Sequence, residues 1–379
     1  MKTFNFYIIC VITILFSCKK TYTPELKNNN QHILVVEGFI NLGADSTHIK
    51  LSRTVAVDGK NSANPEIGAV VSIETASNQT ISLVDEGKGT YGIANLGFGL
   101  NNKYRVRIKT RNGSEYLSDF VDAKASPSID SVNYVVKTDG LDIFVNTHDA
   151  TNASRYYRWE YEESWIFYAK YNSQYAWRGG SIVTIREPHE NIWKCWGSNT
   201  SSVVLTGNST KLEKDVINRQ PVLSINSTSE KVSEKYSILV KQYSLTKEAY
   251  DFWETLKKNT ETLGSIFDAL PSELSGNIHC ITEKNEPVIG YISAGTVKTQ
   301  RIYITKDKFP TWRPKYPVDC IEPDTAFFWK VPTHFVVSSN IPIDLVILDD
   351  GTVLGYRSAG RPCVDCTIRG TNKRPIFWQ

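Results

Sequence analysis

Two cysteine-bearing stretches hold the most reactive chemistry in this chain of 379 residues. The first is Leu15-Phe16-Ser17-Cys18, which closes an apolar run from Phe4 to Phe16 preceded by Lys2. A bilayer span takes about 20 such residues, so the run suits the core of a signal peptide instead. An aliphatic residue, then Phe16 where a smaller one is usual, a small residue and Cys make up a bacterial lipobox. Cleavage before Cys18 and acylation of its thiol (palmitate or a relative) would tether the protein to a membrane, each buried methylene contributing about 0.8 kcal/mol. The alternative is ordinary signal cleavage with Cys18 incidental. Residues 1–17 then form the signal and 18–31 a polar tether that carries Pro24.

The second stretch is Cys363-Val364-Asp365-Cys366, open to three readings: a redox pair, half a zinc site, or disulfide halves. A thioredoxin-like pair needs a helix N-terminus behind it to lower a thiol pKa. The following Thr367-Ile368-Arg369-Gly370-Thr371-Asn372-Lys373-Arg374-Pro375 does not open one. A zinc site takes four ligands, and only the scattered Cys280, Cys320 or His334 could complete it. Structural disulfides are the favoured reading. Once Cys10 leaves with the signal and Cys18 takes lipid, Cys195, Cys280, Cys320, Cys363 and Cys366 remain, in an oxidising compartment. Their odd number leaves one thiol over. Closing the tail onto Cys320 would contribute about 3–4 kcal/mol in the chain-entropy model, with either Cys363 or Cys366 as the partner.

Other chemistry is thin. His32, His48, His148, His189, His279 and His334 show no paired metal spacing, and no nucleophile elbow or phosphate-cradling Gly loop occurs. Glu160, Glu162 and Glu163 cannot face one another across a cleft from a single strand, as a glycosidase pair must. They read as solvated strand residues with partners such as Arg158. The sequence therefore calls for no enzyme, no metal and no cofactor. The 43 basic and 40 acidic residues nearly cancel, which argues against a nucleic-acid partner. The aromatic surplus is the better lead. Tyr168, Tyr171, Tyr175, Trp177 and Trp193 exceed what one strand face absorbs, and exposed Tyr and Trp suit protein or sugar contacts. They are candidate contacts for a transporter, glycan or peptide, with a local core as the plainer alternative.

The elements that would position these groups are mainly β. Residues 32–125 hold about seven short strands with turn signals between them, the pattern of an immunoglobulin-like sandwich. Tyr104, Val106 and Ile108 alternate with Arg105, Arg107 and Lys109, and Asn112-Gly113 closes a hairpin. The basic triplet reads as a solvated strand face. After Ser126-Pro127-Ser128, residues 126–305 read as a second, fibronectin III-like sandwich. It carries the long aromatic strand RYYRWEYEESWIF at 155–167, an inserted loop at 168–200 and one amphipathic helix at 246–263. Thr246 stands at the helix N-cap and Gly264 at its end. Asn277–Thr282, Val288–Ala294 and Arg301–Thr305 would complete that sandwich. The segment 306–379 is rich in Pro and reads as irregular chain held to the body by its cysteines.

Several of these stretches together resemble the domain of unknown function 4249 family, exported lipoproteins of the Bacteroidota. They are LVVEG at 34–38, LSRT at 51–54, PSIDSV at 127–132, YYRWEYEESW at 156–165 and YSILVKQYSLTKEAYDFW at 236–253. GSIFDALPSELSGNI at 264–278, VIGYISA at 288–294 and CVDCTIRGTNKRPIFW at 363–378 extend the likeness. The resemblance implies an outer-membrane lipoprotein that assists a TonB-dependent uptake system, without established catalytic residues. A structural or adhesive surface protein is the other function class. Lys19-Lys20 stand where exported surface lipoproteins of that phylum often carry acids, so the periplasmic and cell-surface faces both stay open.

Overall fold

The computed structural model describes residues 32–55, 64–261, 274 and 276–378. The lipobox, Cys18, the tether through Gln31 and Gly264 lie outside the described residues. The chain is mainly β, as its alternating patterns predict.

The first unit is built from β1 (Leu34–Asn41), β2 (Thr47–Arg53), β3 (Val70–Thr75), β4 (Thr80–Ser82), β5 (Val84–Gly87) and β6 (Thr90–Ile93). It continues with β7 (Lys103–Lys109), β8 (Glu115–Ser118) and β9 (Val121–Lys124). The alternation in β7 is realised: Tyr104, Val106 and Ile108 are buried in one cluster with Val36, Ile49, Val71 and Ile73. Gly113 turns the β7–β8 hairpin with a φ of 94°, a conformation that costs a side-chain-bearing residue more. The facing basic triplet is ion-paired. Arg105 and Arg107 each bond Glu74 at 2.6 Å, and Lys109 reaches Glu115 at 3.0 Å.

The second unit opens with β10 (Ile129–Val136), β11 (Gly140–Asp149), β12 (Tyr156–Tyr168), β13 (Tyr175–Gly179) and β14 (Ile182–Ile185). Then come β15 (Lys194–Thr200), β16 (Leu205–Asn208), β17 (Asp215–Asn226) and β18 (Lys235–Leu245). Strands β10, β11 and β17 form one sheet; β15 and β16 pair with β12, which pairs with β18 in a second. The sheets share a core in which Leu141, Ile143 and Val145 meet Tyr157, Trp159, Tyr236 and Ile238. Burial alternates along β12 from Tyr156 to Glu163 as the odd-numbered aromatics require, then breaks, with Ser164 and Ile166 buried and Trp165 only half-buried. Glu163 departs from its expected solvated state. It sits inside that face, 2 % exposed, because Lys231, Tyr236 and Asn199 satisfy its carboxylate.

Helix α1 (Lys247–Glu261) follows β18. Thr246 caps it, its Oγ1 accepting from the Ala249 amide at 3.2 Å. The helix buries Ala249 and Phe252, and its apolar face joins Phe39 of β1 to Tyr243 and Leu245 of β18. It is therefore a wedge between the two units.

What comes next corrects the sequence reading. Strands β19 (Ile278–Cys280), β20 (Val288–Ile289) and β21 (Ser293–Gly295) do not complete the second unit. They pair with β8, β1 and both β1 and β9 respectively, inside the first. Pairing between strands so far apart in the chain leaves no local turn signal, so only β22 (Val297–Thr305), beside β18, stays where it was expected.

The C-terminal segment is a second correction. Instead of irregular chain it folds β23 (Asp324–Phe327), α2 (Val331–Val337), β24 (Asn340–Ile347), β25 (Val353–Gly360) and α3 (Arg361–Val364). The sheet runs β23–β25–β24. Its prolines mislead because both tolerated positions are used: Pro332 opens α2, where its missing N–H costs nothing, and Pro342 lies on an edge strand beside a register shift.

Candidate functional site

The five loop aromatics are brought together, but as a seat for the C-terminal module. The Tyr168 ring lies 4.6 Å from that of Trp193, Tyr175 5.3 Å from Tyr356, and Trp177 6.0 Å from Phe335. Tyr171 packs near Ile343 and Val364 and donates its amide to the Cys363 carbonyl at 3.0 Å. All five are half-buried. One disulfide holds the module down, Cys195–Cys366 tying it to β15, and a second, Cys320–Cys363, closes it on itself. The four sulfurs are thereby consumed, which removes the redox and zinc readings of Cys363 and Cys366. Cys280 is the remaining thiol, buried in β19 with its Sγ 3.3 Å from Glu286 Oε2.

Polar clamps stiffen the seat. Arg178 donates to both oxygens of Glu190 at 2.6 and 2.5 Å, and that partner holds the Glu190 carboxyl down at about 2. Arg186 donates to Ser173 Oγ and to the Tyr175 carbonyl. Arg357 grips Asp344 across β25 and β24.

On this rigid base the module presents apolar side chains to water. Trp329 is 70 % exposed, Val336 67 %, Val337 87 %, and Ile182 and Ile185 of β14 60 % and 70 %. They flank one packed contact, since Val183 and Trp177 press on Val331 and Phe335 of α2 from the same hairpin. Apolar surface concentrated this way marks an interaction site more often than scattered residues do. Sequence reading passed over it because α2 is too short for helical periodicity to show. Its signal is the apolar run Phe335-Val336-Val337, more than one buried face can absorb.

A second concavity lies where the units meet, a cleft of about 890 Å³. Its floor is the outer face of β12 and β18, and its walls come from β1 and α1. The Arg158 guanidinium stacks between Tyr243, 4.7 Å away, and Trp253, 4.1 Å away. Glu160 takes Arg158 at 3.0 Å and the Tyr243 hydroxyl at 2.6 Å, while Glu162 takes Lys241 at 2.5 Å. Burial, reinforced by Glu160, pushes the Tyr243 phenol far above its ordinary range. Each carboxylate of the floor is thus held by a partner. Among the described residues no group of three His, Cys, Asp or Glu side chains converges on a point where a cation could sit.

The model of a family described as a domain of unknown function, DUF4249, matches residues 19–301. The chain belongs to that family. No curated protein matches it. The DUF4249 match covers both units and all three strands that return to the first. It stops within β22, so the disulfide-bound module from 306 onward lies beyond the matched residues.

Proposed function

We propose that this DUF4249 protein is a non-catalytic outer-membrane lipoprotein acting as an accessory or ligand-binding component of a TonB-dependent uptake system. The observation that carries this reading is the exposed apolar surface of the C-terminal module, fixed by the Cys195–Cys366 disulfide to a half-buried aromatic seat. A rigid platform with a dry face fits protein contact, because little side-chain freedom remains to be lost on binding. The candidate contacts Tyr168, Tyr171, Tyr175, Trp177 and Trp193 serve in this reading by holding the surface in place. The paired carboxylates of the inter-unit cleft and the stacked Arg158 suit recognition of a ligand. Glycans and peptides both fit a concavity that offers aromatic rings and polar groups together.

The test is co-purification from native outer membranes with a tagged, full-length protein. A β-barrel receptor should accompany the natural chain in stoichiometric amount, and Trp329→Asp combined with Val337→Asp should release it while leaving thermal unfolding unchanged. If no barrel accompanies the natural chain, the structural or adhesive reading takes its place.

A further inference from the structure

We infer that the end of the first unit from which the tether emerges is a second, weaker membrane contact, lying against anionic lipid headgroups. The inference rests on acylation of Cys18, as proposed above. His32 begins the described chain and is held at this end: its carbonyl accepts from Arg53 at 3.0 Å and its Nδ1 lies 3.3 Å from the Thr54 carbonyl. Two hollows flank it, one shared with Ile67 and Arg111, the other with Lys284 and Asn285. The β7–β8 turn and the connection from β19 to β20 reach the same end, where Tyr116 meets Glu286 at 2.6 Å and Ile281 bonds the Glu115 carbonyl.

The side chains exposed there are aliphatic and basic. Val55 is 41 % exposed, Ile67 55 %, Val70 62 % and Ile281 45 %, with Arg111 and Lys284 open to water among them. Most nearby acids are already engaged. Glu66 and Glu286 bond Arg53, Glu115 bonds Arg107 and Lys109, and among the described residues Glu283 is left open beside Lys284. Aliphatic burial and basic attraction to anionic heads act together on such a patch.

Chain length argues for the bilayer as the occupant. Residues 19–31 can span at most roughly 45 Å when fully extended, so this end stays closest to a lipidated Cys18. The apolar face of the C-terminal module lies across the second unit from it. The first unit meets that unit through Phe39 and Tyr243, whereas the module is joined to Cys195, opposite Phe167 at the far end of β12.

The test uses the acylated, full-length mature protein in vesicles of zwitterionic lipid alone or with about 30 % anionic lipid. Amide hydrogen exchange is followed by mass spectrometry. The turns at 110–114 and 281–287 should exchange roughly fivefold more slowly on anionic vesicles, with 331–337 unchanged. Arg111→Glu combined with Lys284→Glu should remove the slowing, while the protein stays vesicle-bound through its lipid and keeps its unfolding temperature. Equal exchange on both vesicles, or equal slowing at 331–337, overturns the contact but leaves the anchor standing. An intact mass without acyl chains on Cys18 overturns both.

Discussion

Glu163 shows what a single residue does in this molecule. Its carboxylate, inside the aromatic face of β12, accepts from Lys231 at 2.8 and 2.7 Å, Tyr236 at 2.7 Å and Asn199 at 3.1 Å. Glu163→Ala strands the Lys231 charge and the Tyr236 hydroxyl, and denaturant unfolding should register a loss of about 3 kcal/mol. Tyrosines set the alkaline limit. Burial, with a bond to Glu286, pushes the Tyr116 phenol up to about 12, and burial drives Tyr157 and Tyr236 beyond the ordinary range. In the unfolded chain these phenols ionise near 10, so above that pH the unfolded state binds fewer protons. The stability they contribute is whole below about pH 10 and drains away as pH rises through the folded values. Unfolding temperatures measured from about pH 9 to 11.5 should fall, and fall less steeply in Tyr116→Phe.

At the scale of elements, the C-terminal module depends on its crosslinks. In the chain-entropy model the two bridges contribute about 4–5 kcal/mol each. Limited proteolysis of Cys366→Ser should therefore cut first after residue 306 and spare the DUF4249-matched region, whereas the natural chain resists. Strand β20 depends on a glycine. Gly290 has a φ of 147°, and any Cβ there would meet the Val36 carbonyl of β1. Gly290→Ala should destabilise the first unit by about 3 kcal/mol, read by denaturant unfolding. The sequence made much at this scale readable. Alternation in β7 and β12, the Asn112-Gly113 turn and the Thr246 cap each follow from local rules and appear where expected. The returning strands and the module were not readable, since their partners lie far away in the chain and their prolines occupy the few positions a sheet or helix tolerates. The exposed apolar surface shared that fate: Val331 and Phe335 meet Val183 of β14 only once the tail has folded back.

At the scale of the molecule, the Ser126-Pro127-Ser128 segment does not divide the chain into two independent pieces. The linker is pinned on both sides: Ser126 donates its amide to Thr296 Oγ1 at 3.0 Å, and the buried Gln242 side chain holds the Pro127 carbonyl at 2.9 Å. Phe39 and Tyr243 stack edge to face across the joint, 4.9 Å apart. A fragment of residues 32–125 lacks β19, β20 and β21 and should give no cooperative thermal transition by circular dichroism, whereas the full chain should. The contact at Phe39 should carry a sizeable share of the joint, so Phe39→Ala is expected to cost about 3 kcal/mol in denaturant unfolding.

The late return of Ile278–Gly295 also sets a timetable. A ribosome finishes the N-terminal strands long before it reaches the three that seal them. Until residue 295 arrives, the edges of β1, β8 and β9 stand open to any passing strand. Those edges are therefore the window for mispairing, and it shuts only when nearly four-fifths of the polypeptide has been made.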